Sequence, residues 1–180
     1  DKKIIVLNEV ESTNNYAKQL ILSNAAEECT VVMTHFQEKG RGQQGNSWES
    51  EYGMNVLASY ILFPDFLAAG KQFLISKLVS LALLDLLQKE TDNVSIKWPN
   101  DLYVGRNKIA GILIENIIRG QQWQYAIVGL GLNINQLIFP ENIPATSLKQ
   151  ELREDLTIVE VKKKLLDKLI APPVVNSSFS

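Results

Sequence analysis

The chain has 180 residues, 46% hydrophobic and 21% charged, with a formal net charge of −2. That length suits one domain with its own core. The charge balance excludes a broadly cationic surface for nucleic acid or an anionic membrane, so any cation-dependent site has to be local. The lone cysteine, Cys29, opens an apolar run and reads as a small core residue, excluding an internal disulfide and fitting a reducing, cytoplasmic setting. The lone histidine, His35, has no Cys or His at ligand spacing, which argues against structural zinc. The most apolar stretch, Phe73 to Leu87, carries Lys77 and Asp85 and is too short and too charged to span a bilayer.

Ile4 to Leu7 reads as a first strand, and Ser12 or Thr13 as the cap of a helix whose apolar face is Tyr16, Ala17, Leu20 and Ile21. Thr30 to Thr34 reads as a buried strand running into the polar loop Gln37 to Trp48, which holds Gly40, Arg41, Gly42 and Gly45. Glycines allow close approach to a ligand and Arg41 adds a cationic fork, so the loop reads equally as a mobile connection or as a clamp for a small anion. A strand from Asn55 to Phe63, ended by Pro64 and Asp65, precedes a helix from about Lys71 to Lys89. Leu74, Leu78, Leu81, Ala82 and Leu84 cover much of that helix, so packing on more than one side is expected.

Val94 to Trp98 reads as a strand ended by Pro99, with Asn100 and Asp101 as turn residues. Leu102 to Val104 and the turn Gly105–Arg106–Asn107 lead into a long hairpin, Lys108 to Ile118 and Trp123 to Asn133. One face of the second hairpin strand carries Ala126, Val128, Leu130 and Leu132; the other carries Tyr125, Ile127, Gly129, Gly131 and Asn133. The two glycines leave a flat patch that something should approach closely: a crossing helix, or a ligand, which the neighbouring Asn133 favours. Capping boxes at Ser147–Gln150 and Thr157–Glu160 predict two short helices, the second with Val161, Leu165, Leu166 and Leu169 as its apolar face. Pro172–Pro173 should stop it, ahead of an unstructured tail. Mixed strands, hairpins and crossovers indicate an α/β or α+β domain with a mixed sheet flanked by helices. No GxxxxGK[ST] or GxGxxG element follows a strand, against a P-loop or dinucleotide-binding fold.

Several spaced strings together resemble the catalytic domain of the biotin protein ligases. They are Glu11-Ser12-Thr13-Asn14, Gln37 through Gly45 with Trp48, Lys97-Trp98-Pro99-Asn100-Asp101-Leu102, Lys108-Ile109-Ala110-Gly111-Ile112-Leu113-Ile114-Glu115, and Gly129-Leu130-Gly131-Leu132-Asn133. The resemblance implies a fold related to class II aminoacyl-tRNA synthetases and lipoate ligases. It implies ATP-dependent activation of biotin as biotinyl-5′-AMP, with Mg²⁺, and transfer to a lysine of a biotin carrier domain. By resemblance, Ser12, Thr13 and Gln37 bond the ureido ring, and Gly111, Gly129 and Gly131 line the biotin pocket. Gly40, Arg41 and Gly42 wrap the carboxyl and the adenylate, with Gln43 beside them, and Lys108 meets carboxylate and α-phosphate. Lys97 and Arg41 offset phosphate charge, Asn100 and Asp101 organise phosphates and metal, Trp48 packs on adenine, and Asn133 lies near the purine.

Many relatives have Gly-Arg-Gly-Arg-Arg-Gly where this chain has neutral Gln43 and Gln44, which predicts faster escape of the adenylate. On the resemblance, residues 1–171 are the catalytic domain and 172–180 the tail, with no helix-turn-helix expected and the β-barrel of some relatives either absent or missing from an incomplete chain; no nucleic acid or membrane is an expected partner, and a homodimer is left open. The alternatives are a lipoate or octanoate ligase of the same fold, and a non-catalytic biotin-binding domain, which would not need Lys97, Asp101 and Lys108 together.

Overall fold

The computed structural model describes residues 3–64 and 67–170. Asp65, the Pro172–Pro173 stop, the tail and the side chain of Leu169 lie outside the described residues. The first half of the chain forms β1 (Ile4–Val10), α1 (Thr13–Leu22), β2 (Val31–Gln37), β3 (Asn55–Leu62) and α2 (Phe73–Leu87). The second half forms β4 (Val94–Lys97), β5 (Asp101–Val104), β6 (Asn107–Arg119), β7 (Gln122–Asn133), α3 (Leu148–Leu152) and α4 (Ile158–Ile170).

The strands make one mixed seven-stranded sheet in the order β1-β2-β3-β7-β6-β5-β4. Only β1 and β2 run parallel, joined through α1; the other neighbours are antiparallel. Strand β7 therefore lies mid-sheet, and its apolar alternation is explained by layers on both faces. Ala126, Val128, Leu130 and Leu132 enter the main core, with Ile75, Val79, Leu83 and Leu87 of α2 and Val161 and Leu165 of α4. On the opposite face, Ile127 joins Ala17, Val32 and Ile61 under α1, with Tyr16, Leu20, Ile21 and Tyr125 around them. Each large aliphatic side chain buried this way contributes roughly 1.5–3 kcal/mol.

Three expectations change. Strand β2 continues past Thr34 to Gln37, because Phe36 and Gln37 pair with Glu9 and Val10 of the lengthened β1. That pairing makes Gln37 a rigid strand residue instead of the first loop residue. Helix α2 packs on one side only, through Ile75, Val79, Leu83, Leu86 and Leu87, while Leu74, Leu78 and Leu81 stay exposed. The periodicity of so apolar a helix did not distinguish the packed side from the open one. Asp101 is the first residue of β5, paired with both Lys97 and Gly111. Ahead of it, the turn at Trp98–Pro99 contains a cis peptide bond.

Candidate active site

Side chains from α1, the ends of β2 and β4, the glycine loop and the middle strands converge on one cleft of about 280 Å³ over the sheet face opposite α2. Register explains its floor. Gly131 of β7 stands between Leu57 of β3 and Gly111 of β6, and Gly129 stands between Ser59 and Leu113. Residues at these alternate positions point to the same side of the pleat.

The glycine patch is occupied by the protein itself. A Cβ on Gly131 would come within 2.3 Å of the Trp48 ring, and one on Gly111 within 2.9 Å. A Cβ on Gly129 would come within 2.4 Å of Asn14 Oδ1. The three glycines therefore admit an indole and an amide onto the sheet, where a ligand was favoured from sequence, and they line the cleft around those two groups.

At the α1 end, Ser12 caps the helix by accepting from Asn15 N–H at 3.5 Å and also lines the cleft, so the two roles anticipated for it are compatible. The Gln37 carbonyl accepts from both the backbone N–H of Thr13, at 2.8 Å, and its hydroxyl, at 3.0 Å. With its oxygen committed, the Gln37 amide nitrogen is the group left to meet a ligand. Ser59 Oγ donates to Asn14 Oδ1 at 2.6 Å and also lies 2.8 Å from Thr13 Oγ1. Asn14 Nδ2 donates to Glu115 Oε2 at 2.8 Å, and Glu115 receives both terminal nitrogens of Arg41 at 3.2 and 2.9 Å. One polar chain thus runs from Gln37 to Arg41 beneath the cleft.

The loop has its own framework. Gly42 N–H donates to the Asn46 carbonyl at 2.7 Å, Trp48 N–H donates to the Gly40 carbonyl at 2.9 Å, and Arg41 and Ser47 form an antiparallel bridge. Gly40 does not line the cleft; a side chain there would collide with the Trp48 carbonyl at 2.2 Å, so this glycine permits the loop's own pairing. Arg41, Gly42 and Gln43 do line the cleft.

The far end is cationic. Lys97 and Lys108 both face the cleft, and Lys108 Nζ lies 2.8 Å from Asp101 Oδ1 and 5.5 Å from the Trp48 ring centre. Lys97 sits 5.1 Å over the Tyr103 ring. Asn100 ties this corner to β6, exchanging hydrogen bonds with Ile112 at 2.8 and 3.2 Å. Asn133 lies outside this cleft, on a second cavity of about 490 Å³ that Trp48 and Lys108 also line. Its buried Oδ1, like Trp48 Nε1, has no partner among the described residues. Both residues line the second cavity, while the two unpartnered atoms themselves are buried.

Sequence reasoning assigned no role to Ser59, Asn14 or Glu115. Ser59 was visible as the one hydroxyl inside the apolar run Val56–Ile61 apart from the phenol of Tyr60, and Glu115 as the acid closing the run Ile109–Ile114. A polar group within such a run signals a buried hydrogen-bond partner.

Residues 6–133 match the Biotin/lipoate A/B protein ligase family. The chain belongs to that family. It is 30% identical over 167 residues to the bifunctional ligase/repressor BirA of Bacillus subtilis, covering 90% of this chain and 51% of that protein. It is 28% identical over 184 residues to the human biotin–protein ligase, covering 93% of this chain and 25% of that one. Its fold superposes with a TM-score of 0.80 on the biotin protein ligase of Aquifex aeolicus in complex with biotin and ATP, at 30% identity, covering 93% of this chain and 68% of that one. The chain spans about half the length of the Bacillus relative. No helix among the described residues is long and apolar enough to cross a membrane.

Proposed function

We propose that this chain is a cytoplasmic ligase that condenses biotin with ATP to biotinyl-5′-AMP and pyrophosphate, then passes the biotinyl group to a lysine of a biotin carrier domain. The observation that carries the reading is the division of the cleft. One end is neutral and rich in hydrogen-bonding groups, at Ser12, Thr13 and Gln37, with Arg41 held beside it by Asn15 and Glu115; the other gathers Lys97 and Lys108 by Asp101. A ureido ring suits the first end and an anion the second. The biotin named for relatives, and the biotin and ATP held by the Aquifex enzyme, support that choice over lipoate, which lacks a ureido group.

A carboxylate is a poor electrophile, and adenylation converts it to a mixed anhydride with a good leaving group. The attack brings a carboxylate against a triphosphate, so the barrier includes repulsion between like charges. Lys108 lines both cavities, which supports it as the cation that meets carboxylate and α-phosphate; Lys97 lines the first cavity with it, and Arg41 lines that cavity from the α1 side. Each such cation is worth about 2–4 kcal/mol if its contact strengthens in the transition state. The second cavity suits the nucleoside, with the indole of Trp48 as an apolar wall and Asn133 on its lining.

Asp101 is the one carboxylate among the cleft-lining residues, and no group of three His, Cys, Asp or Glu side chains among the described residues could hold a resident ion. That donor set fits Mg²⁺ carried on the nucleotide's phosphates, with Asp101 and Asn100 nearby. There it would neutralise phosphate charge. The acyl acceptor is a lysine of the carrier domain, and this chain supplies no nucleophile. Asp101 is the candidate base for that amine.

Biotin-dependent exchange of pyrophosphate into ATP tests the reading. The chain should catalyse exchange with biotin and not with lipoate, and Lys108→Ala should abolish it while the fold is kept. Absence of biotin-dependent exchange, or lipoate as the better substrate, overturns the proposal.

A further inference from the structure

We propose that Glu115 is a positioning residue for the adenylate, acting through Arg41 and held in place by Asn14. The inference rests on the function proposed above and extends it to a side chain given no role there. Leu113 and Glu115 lie on the cleft face of β6, in register with Gly129 and Ile127 of β7. Asn14, from the first turn of α1, packs on Gly129, where a Cβ would come within 2.4 Å of its Oδ1. From there it spans three strands, receiving Ser59 of β3 on its oxygen and donating to Glu115 of β6 from its nitrogen.

Arg41 is anchored in turn. Its Nη1 donates to Asn15 Oδ1 at 2.8 Å and to Glu115 Oε2 at 3.2 Å, and its Nη2 donates to Glu115 Oε1 at 2.9 Å. A bidentate pair fixes the plane of the guanidinium, which a lone arginine on a glycine-flanked loop would not keep. A guanidinium has five N–H donors, of which these bonds use three, so two remain for an anion. The side chain stays 44% exposed and lines the cleft, so those donors are accessible. Because Gln43 and Gln44 are neutral, Arg41 is the loop's only cation between Gly40 and Trp48, and its orientation governs the loop's hold on an anion.

Glu115 therefore does not compete with the ligand for Arg41. Arg41 lines the cleft and Glu115 does not, so Glu115 fixes the arginine from outside the cleft, and Asn14 holds the carboxylate by its hydrogen bond. Removing the charge while keeping the shape, as in Glu115→Gln, leaves Arg41 without its bidentate anchor.

The test is a double-mutant cycle read by calorimetry, with a non-hydrolysable biotinyl-adenylate analogue as the probe and the full chain as the protein. Glu115→Gln should weaken the analogue about tenfold or more, as for the loss of a charge-assisted hydrogen bond. In an Arg41→Ala background the same substitution should change affinity less than about twofold, since its effect runs through the arginine. Affinity for biotin alcohol, which lacks the carboxylate and phosphate, should stay within about twofold of the unaltered chain throughout. A merely structural Glu115 would weaken both ligands and multiply with Arg41→Ala, and either result overturns the inference. If the unaltered chain binds the analogue but fails pyrophosphate exchange, the ligase reading falls while the cycle still decides the role of Glu115. If it does not bind the analogue, both fall.

Discussion

Gly129 and Gly131 look interchangeable in the chain, yet they admit different groups: the Asn14 amide lies on one and the Trp48 indole on the other. Gly131→Ala should push the indole off the sheet, shifting tryptophan fluorescence and weakening nucleotide binding. Gly129→Ala should instead break the polar chain to Glu115 and leave the indole where it is. Gln43 lines the cleft beside Arg41, so Gln43→Arg adds a second cation near the anion. Retention of biotinyl-AMP, followed by chasing labelled adenylate, should lengthen several-fold in that variant, by about the worth of one added charge-assisted bond. Tyr60 lies in the main core with its hydroxyl unpaired among the described residues, and burial pushes its phenol well above the usual range. A group whose proton is held more tightly in the folded state stabilises below its unfolded pKa and loses that contribution as pH rises. Stability should therefore fall above about pH 10, the ordinary tyrosine value. Tyr60→Phe should flatten that alkaline limb, and at neutral pH it should cost nothing, because it removes an unmet hydroxyl. Urea titrations at pH 7 and pH 10.5 would check both.

From its sequence, the loop from Gln37 to Trp48 reads equally as a connection or a clamp. Its internal bonds, and its tie through Arg41 to β6, make it an ordered hairpin-like flap with a tight turn at Gln43–Gly45. Ordering over a ligand is still expected to tighten it, since the turn itself contains no buried residue and Gln44 sits in the left-handed region at φ 54°. Limited proteolysis at Lys39–Gln44 should slow when biotin and ATP are added together; an unchanged rate would count against closure. Helix α2 makes the complementary point about elements. Leu81 is 55% exposed and Leu83 is fully buried, although both belong to one apolar run. Leu83→Ala should cost about 2–5 kcal/mol in a urea melt, whereas Leu81→Gln should stay within about 0.5 kcal/mol.

At the scale of the whole molecule, the sheet brings α1, the loop, and the β4–β5 and β6–β7 hairpins to one face, so residues from 12 to 131 share a single cleft. Much of this was legible in the chain. The strand alternation of β7 separated its core face from its glycine face, because side-chain direction along a strand is a local property. The spaced strings carried the family resemblance, and the residues singled out from them line one cleft, apart from Gly40 and Asn133. What the chain alone left open depends on contacts between residues far apart in it. The reach of β2 to Gln37 depends on pairing with β1, and the open side of α2 depends on where α4 packs. The occupant of the glycine patch depends on where α1 and the loop arrive. By itself the sequence determined the alternation, the caps and the kinds of chemistry present, because these arise from near neighbours. Only the tertiary structure decided that Asn14 bridges Ser59 to Glu115, and that Glu115 in turn holds Arg41, because those partners come from separate strands and meet only when β7 lies between β3 and β6.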